Sequence, residues 1–128
     1  MTCFWDGILH HLRDEDFQRV FQISKPNNKN FVKLLKNNLR KTKDILWNGE
    51  KLTEKQTEEN YEHIKDFNPD SIHNGYLCST CDPFLFLVCE LFKVNINHNY
   101  CGHMMQYRVA NPIKTLKFKS STGHFSAC

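Results

Sequence analysis

Residues 82–98 carry the clearest structural pattern in the chain and read Asp-Pro-Phe-Leu-Phe-Leu-Val-Cys-Glu-Leu-Phe-Lys-Val-Asn-Ile-Asn-His. Asp82 followed by Pro83 is a typical helix start, because Asp caps the first turn and Pro suits the first helical position. Residues 84–92 are apolar nearly all round, so we predict a buried helix. From Val94 onward apolar residues alternate with Asn, which predicts a strand. A buried helix therefore leads directly into a sheet.

The segments on either side of this stretch predict the rest of an α+β fold. Upstream, apolar residues recur at helical spacing over residues 3–12, with Thr2 as the cap, and again over a second short helix from Asp14. A third helix is capped by Asn28 or Asn30, and Thr53 with Gln56 resembles a capping box that opens a fourth. Downstream, residues 103–109 and 116–119 alternate as two more strands. Helices first and strands last indicate helices packed on a small, mainly antiparallel sheet.

Length and composition place the chain among ordinary globular proteins. The 128 residues are 40% hydrophobic and 24% charged, which excludes collagen, coiled coil and general disorder. We expect a single domain over residues 1–128. No window approaches the roughly 18 apolar residues of a membrane-spanning helix, and the N-terminus lacks a signal pattern. The six cysteines are too few for a disulfide scaffold, so we expect reduced thiols and a cytoplasmic protein.

The origin of the chain is hinted at only by composition. Asn is frequent and Lys outnumbers Arg, a bias typical of A/T-rich genomes such as those of some parasites and large viruses. For a viral protein, the expected location is the host cytoplasm or the virion.

Cys3 and His124 are the first candidates for chemistry. Cys3 begins a predicted helix, where the unpaired N–H groups favour a thiolate and can also bind an oxyanion. His124 lies beyond the last predicted strand. A Cys on the first helix and a late His are the two parts of a papain-like thiol hydrolase. On spacing alone, a chance Cys near a terminus and a structural His are the simpler interpretation.

Three segments resemble the OTU (ovarian-tumour) family of papain-like cysteine proteases. Cys3-Phe4-Trp5-Asp6-Gly7-Ile8 is similar to the opening of that family's catalytic helix. Gly75-Tyr76, followed by Asp82-Pro83-Phe84-Leu85 and then Leu91 to Ile96, resembles its middle block of turn, buried helix and strand. Ser121-Thr122-Gly123-His124-Phe125 resembles its His-aromatic segment. The three segments occur in the family's order over almost the whole chain, as in a minimal member.

The resemblance implies a cysteine protease that hydrolyses isopeptide or peptide bonds of ubiquitin or a ubiquitin-like protein, with no metal and no cofactor. Cys3 would be the nucleophile and His124 the general base, with backbone N–H groups of Thr2 and Cys3 as the oxyanion site. Ser126 stands where the family usually has Asp or Asn after the His. A hydroxyl orients imidazole but does not stabilise imidazolium as a carboxylate does.

Two departures support an alternative, a catalytically silent OTU-like binding or structural protein. Ser126 is a weak third partner, and only Met1 and Thr2 precede Cys3 where the family usually has Asp-Gly-x. Such a protein could contact nucleic acid through the basic stretch, residues 25–43, which holds seven Lys/Arg and no acid. A solvated helix face explains the same pattern, and aromatic residues for stacking are sparse there.

Cys78 and Cys81 form a Cys-x-x-Cys pair that is followed by His98, Cys101 and His103, a pattern that also fits a zinc site. Against zinc, a buried helix separates the two halves, and Asp82 next to Cys81 is already a helix cap. Loop thiols and strand histidines without a metal are the simpler interpretation. A thioredoxin-like redox role for the pair lacks the preceding strand that it needs.

Overall fold

The structure is a computed structural model that describes residues 2–128. Its five α-helices and one 3-10 helix are α1 (Cys3–His11), α2 (Asp14–Phe21), α3 (Asn28–Asn37), α4 (Glu54–Asp66), the 3-10 helix (Pro69–Asn74) and α5 (Pro83–Phe92). Its six strands are β1 (Leu46–Trp47), β2 (Glu50–Lys51), β3 (Val94–Tyr100), β4 (His103–Arg108), β5 (Lys114–Ser121) and β6 (His124–Ala127). The predicted α+β class is therefore confirmed.

The α5–β3 unit forms as the sequence predicts. The side chain of Asp82 accepts hydrogen bonds from the N–H groups of Phe84 and Leu85, and Pro83 occupies the first helical position. Every residue of α5 except Glu90 is buried, because the helix lies at the centre of the core. Lys93 then adopts a left-handed conformation with φ 55°, which ends the helix and turns the chain into β3.

The six strands form one sheet in the order β2-β1-β4-β3-β5-β6. Its neighbouring strands pair antiparallel, except that β3 and β5 run parallel in the middle. Val94, Ile96 and His98 face the buried side of the sheet, while the Asn residues between them face outward. β6 is an edge strand that pairs with β5, and it carries His124 and Ser126 at the edge of the sheet.

Two predicted caps are wrong in detail. Thr2 precedes α1, but its hydroxyl donates to Asp6 Oδ2 at 2.8 Å and does not cap the helix, because its ψ of 23° is outside the extended region of a capping residue. Asn27, rather than Asn28 or Asn30, caps α3 through a hydrogen bond from the Asn30 N–H. The capping box of Thr53 and Gln56 is confirmed, with both of its hydrogen bonds present.

Three strands of the sheet were not predicted. β1 and β2, joined by a turn at Asn48-Gly49, have two residues each and are too short to show alternation. β6 extends the sheet beyond the last predicted strand. Over residues 2–128, the helices are all too short or too polar to cross a membrane.

Candidate active site

Cys3 is the first residue of α1 and is held in place by the aromatic residues that follow it. Phe4 and Trp5 are buried, and the Phe4 ring lies 4.5 Å from the Tyr76 ring and 4.9 Å from the Phe125 ring between centroids. The Trp5 ring packs edge-on against Phe84 of α5 at 4.9 Å. The start of α1 is therefore anchored both to α5 and to β6, while the Cys3 side chain is half-buried at the surface.

Gly7 brings α1 close to β6. A Cβ atom at Gly7 would lie 2.9 Å from the Phe125 ring, a separation that side chains essentially never show. A larger residue at this position would therefore hold the helix away from the strand. Phe125 directly follows His124 in β6, and Gly7 lies about one turn along the helix from Cys3. Cys3 and His124 lie at the same end of this helix–strand contact, since both line one pocket.

A tight hairpin between β5 and β6 presents His124. Ser121 pairs with His124 across the hairpin, and Gly123 in the turn has φ 80°, a conformation that favours glycine. Phe125 faces the core, so the neighbouring residues His124 and Ser126 point away from it along the pleat. His124 is exposed at the edge of the sheet.

One pocket of about 130 Å³ brings Cys3 and His124 together. Tyr76, Tyr100 and Ser120 also line it. Between the described side chains of Cys3 and His124 there is no hydrogen bond in this state. Ser126 lies in a neighbouring groove that also contains Cys3, Asp6 and His10, without a hydrogen bond to His124 in the part of the chain that the structure describes.

The proposed oxyanion groups lie at the opening turn of α1. The Thr2 carbonyl accepts the first bond of the helix, from the Asp6 N–H at 2.8 Å. The N–H groups of the first helical turn, including that of Cys3, have no acceptor within the helix. Their partial positive charge lies at the end of α1 that begins with Cys3, and such a helix end can bind an anion. The hydrogen bond from Thr2 to Asp6 stabilises this turn from outside the helix.

A buried pair that the sequence analysis did not assign to the site lies below the pocket. His98 of β3 is fully buried, and its Nε2 lies 2.6 Å from the Ser120 Oγ on β5. Burial lowers the pKa of His98 to about 4, so the ring is neutral at pH 7. The sequence pattern could have indicated this pair. Along β3 and β5, His98 and Ser120 occupy the alternate positions that otherwise hold buried Val, Ile, Leu or Phe.

Asp82 is the second buried polar centre. Besides capping α5, its carboxylate accepts hydrogen bonds from the Tyr76 hydroxyl at 2.8 Å and from the Ser79 N–H at 3.1 Å. Burial raises the pKa of Asp82, and these hydrogen bonds oppose the shift. The Asp82 network ties the loop that carries Tyr76, one wall of the pocket, to the start of the central helix.

The Cys-x-x-Cys pair lies in that same loop. Burial, together with the charge of Asp82, raises the pKa of Cys78 well above the ordinary range and that of Cys81 to about 11. Both are therefore protonated and unreactive thiols at pH 7. The described residues contain no cluster of three or more His, Cys, Asp or Glu arranged to hold a metal ion. His98, one member of the zinc pattern, is bonded to Ser120 inside the core.

The cations of the basic stretch are largely paired within the protein. The ammonium groups of Lys25 and Lys36 donate to the Leu9 and Phe67 carbonyls. Lys29 lies 2.5 Å from Asp70, and Lys41 lies 2.6 Å from Glu58. Four of the seven basic side chains thus contact acceptors of the chain itself, which weakens the case for a phosphate-binding surface.

Comparisons of the chain with protein-family models, with curated proteins and with solved structures found no match. The resemblance to OTU proteases rests on the three segments around Cys3, Gly75 and His124.

Proposed function

We propose that this protein is a papain-like thiol hydrolase with Cys3 as nucleophile and His124 as general base. The observation that carries the proposal is that the first residue of α1 and a histidine at the far end of the chain line one pocket. The packing of Gly7 against Phe125 supports it, because this packing positions both residues together. A thiol at a helix N-terminus beside an imidazole is the arrangement that nucleophilic cysteine catalysis needs.

The proposed reaction uses only groups of this chain and water. His124 accepts the Cys3 proton, and the sulfur attacks the substrate carbonyl to form a tetrahedral oxyanion, which the N–H groups at the start of α1 stabilise. Its collapse forms a thioester with Cys3, while His124 gives the proton to the leaving amine. Water, deprotonated by His124, then attacks the thioester and releases the carboxylic acid and the free thiol.

His124 must approach the sulfur for the first step. Hydrogen bonds between catalytic groups are often long in the absence of substrate and tighten in the substrate complex. His124 is exposed next to the glycine turn of the hairpin, so its side chain has room to rotate toward Cys3. In this proposal Ser126, two residues on along β6, is an orienting group.

The proposed substrate is the C-terminal isopeptide or peptide bond of ubiquitin or a ubiquitin-like protein. This part of the proposal comes from the OTU-like segments around Cys3, Gly75 and His124, as does the papain-like OTU-type description of the fold. The fold observed here, helices against a mixed sheet with the Cys on the first helix and the His on the last strand, is compatible with that description.

The test is labelling with ubiquitin that carries a C-terminal electrophile, read by intact-mass and peptide mass spectrometry. We expect one adduct per chain, on Cys3, and none with Cys3→Ala. Cys78→Ala is the matched control, because Cys78 lines the same pocket and its loss should leave the adduct unchanged. His124→Ala should slow adduct formation without unfolding the protein. Absence of an adduct with folded wild-type protein would instead favour the catalytically silent alternative.

A further inference from the structure

Of the two ring nitrogens of buried His98, one has a hydrogen-bond partner and the other has none among the described residues. His98 is fully buried, Ser120 is 9% exposed, and the two lie on neighbouring strands with Nε2 and Oγ 2.6 Å apart. The other ring nitrogen, His98 Nδ1, is buried and has no hydrogen-bond partner among the described residues. Ser120 also lines the pocket that contains Cys3, whereas His98 lies behind it.

The position of the single ring proton decides what Ser120 can do. A neutral imidazole has one N–H donor and one acceptor nitrogen. With the proton on Nδ1, a buried N–H would have no acceptor, and unsatisfied buried donors are costly and rarer in proteins than unsatisfied acceptors. With the proton on Nε2, only a lone pair on Nδ1 is unsatisfied, and Nε2–H donates to Ser120. The burial of Nδ1 therefore favours the Nε2–H tautomer of His98.

In that tautomer the Ser120 hydroxyl accepts from His98 and keeps its own hydrogen free. The described residues give the Ser120 Oγ no partner other than His98. Since the core behind Ser120 is filled by the His98 and Phe125 rings, whose centroids are 5.5 Å apart, the side open to a ligand is the pocket. An oriented O–H donor thus faces the space beside Cys3.

We propose that Ser120 is a substrate-binding residue whose hydroxyl donates a hydrogen bond to a backbone carbonyl in the acyl part of the substrate. This inference rests on the proposed function, because it takes Cys3 as the residue that the acyl group reaches. His98 is a positioning residue: it contacts no substrate, and it fixes the direction of the Ser120 hydroxyl by occupying its acceptor side. A carbonyl is the complementary ligand, because the group offered to the pocket is a donor.

The tautomer can be measured without any activity. Long-range nitrogen–proton correlation spectra of the ¹⁵N-histidine-labelled full chain distinguish a protonated Nε2 from a protonated Nδ1. His98→Gln identifies the signal of His98 among the seven histidines. We expect Nε2 protonated and Nδ1 bare at pH 7. A proton on Nδ1 would overturn the inference, because Ser120 would then donate to His98 and offer no hydrogen to the pocket.

The substrate contact is measured by hydrolysis of ubiquitin with a C-terminal aminocoumarin amide. Ser120→Ala should lower kcat/KM about 5- to 10-fold, mainly through KM, as expected for the loss of one neutral hydrogen bond. Ser120→Thr keeps the hydroxyl and should stay within about twofold of wild type. Alkylation of Cys3 by iodoacetamide should change by less than about twofold in Ser120→Ala, since the nucleophile is untouched. Equal kcat/KM for Ser120→Ala and wild type would overturn the inference.

Failure of the proposed function looks different. In that case wild type and Cys3→Ala would hydrolyse the coumarin substrate equally slowly. That result would contradict both the role of Cys3 as nucleophile and the contact of Ser120 with an acyl substrate. Failure of this inference alone would leave wild type active above Cys3→Ala, with either a proton on His98 Nδ1 or full activity in Ser120→Ala.

Discussion

Gly7 and Phe125 are in such close contact that a Cβ atom at Gly7 would lie 2.9 Å from Cε1 of the Phe125 ring. Glycine inside a helix costs about 0.5–1 kcal/mol relative to alanine, so its presence in the middle of α1 needs a packing reason. The close approach supplies that reason, because it seats α1 on β6. The lower stability of the helix at Gly7 is therefore explained by the close packing of α1 on β6 at this point.

Replacing Gly7 by Ala should destabilise the protein. The gain in helix propensity is about 1 kcal/mol at most, whereas overpacking against a buried ring costs about 1–3 kcal/mol. We expect a net loss of roughly 1 kcal/mol in the free energy of unfolding, measured in urea, together with slower labelling of Cys3 by the ubiquitin electrophile. In a Phe125→Leu background the Gly7→Ala penalty should shrink. A more stable Gly7→Ala protein would contradict this account of the α1–β6 contact.

The six cysteines should differ in reactivity with iodoacetamide. Cys81, with a pKa of about 11, and the more strongly shifted Cys78 should react roughly 100-fold or more slowly than an ordinary exposed thiol at pH 7. Fully buried Cys89 should react only after unfolding. At pH 7, Cys3 should react faster than exposed Cys101, because His124 lines the same pocket and can accept the proton of the Cys3 thiol.

The control for the Cys3 rate is His124→Ala, which should bring it toward the rate of Cys101 while circular dichroism shows an unchanged fold. Peptide mass spectrometry after timed quenching gives each rate. Equal rates for Cys3 and Cys81 would argue against an activated thiol at position 3.

Asp82→Ala should be among the most destabilising single substitutions in the protein. It removes the cap of α5, leaves the buried N–H groups of Phe84 and Leu85 without their acceptor, and breaks the part-buried hydrogen bond from Tyr76, for an expected loss of about 3 kcal/mol. Tyr76→Phe removes one of these hydrogen bonds and should cost about 1 kcal/mol. Urea unfolding measures both.

The matched control for Asp82 is Asp70→Ala, which removes an exposed carboxylate with one surface ion pair and should change stability by less than about 1 kcal/mol. Similar losses for Asp82→Ala and Asp70→Ala would show that the buried network contributes little.

His98 should make the protein less stable as the pH falls from about 6.5 to about 4. The unfolded ring has a pKa near 6.5, and burial lowers it to about 4 in the folded state, so in this window only the unfolded chain takes up the proton. The free energy of unfolding should therefore fall by up to roughly 1.4 kcal/mol per pH unit, about 3 kcal/mol in all. The stability contribution is fully present above the unfolded pKa.

Urea unfolding across this range measures the slope. His98→Gln should flatten it relative to wild type, whereas His103→Gln, on the exposed part of β4, should keep it. A wild-type slope retained in His98→Gln would assign the pH dependence to another group.

The basic stretch should bind nucleic acid only weakly. Lys33 and Arg40 are exposed and suit a charge-reversal test, whereas Lys36 does not, because its ammonium also supports the Phe67 carbonyl. We expect retention on a DNA column at low salt that is lost by about 200 mM salt. Retention above that concentration that disappears in Lys33→Glu/Arg40→Glu would favour the nucleic-acid alternative.

Local features of the chain could be predicted from the sequence because they depend on neighbours within one turn or one pleat. Asp82-Pro83 specified the start of α5, Thr53 and Gln56 formed their capping box, and alternation marked β3, β4 and β5. The same locality explains the errors. A choice between Asn27, Asn28 and Asn30 as a cap depends on a shift of one residue, and two-residue strands such as β1 carry no period.

Contacts between distant residues were decided by tertiary structure alone. In the sequence, Cys3 and His124 could be paired only by residue type and by resemblance. Their shared pocket follows from the order of β3, β5 and β6 and from the close packing at Gly7. The contact of His98 with Ser120 likewise requires the parallel register of β3 and β5.

The behaviour of single ionisable side chains also depends on tertiary structure. The sequence shows that Asp82 and the lysines of the basic stretch are charged residue types, but burial and partners set their behaviour. Asp82 lies in the core, where desolvation raises its pKa, and Lys29 and Lys41 lie against carboxylates from other segments. Sequence determines which groups are present and which local elements form. Strand order and packing decide which groups meet, because the free energy of burying a polar group depends on its neighbours in space.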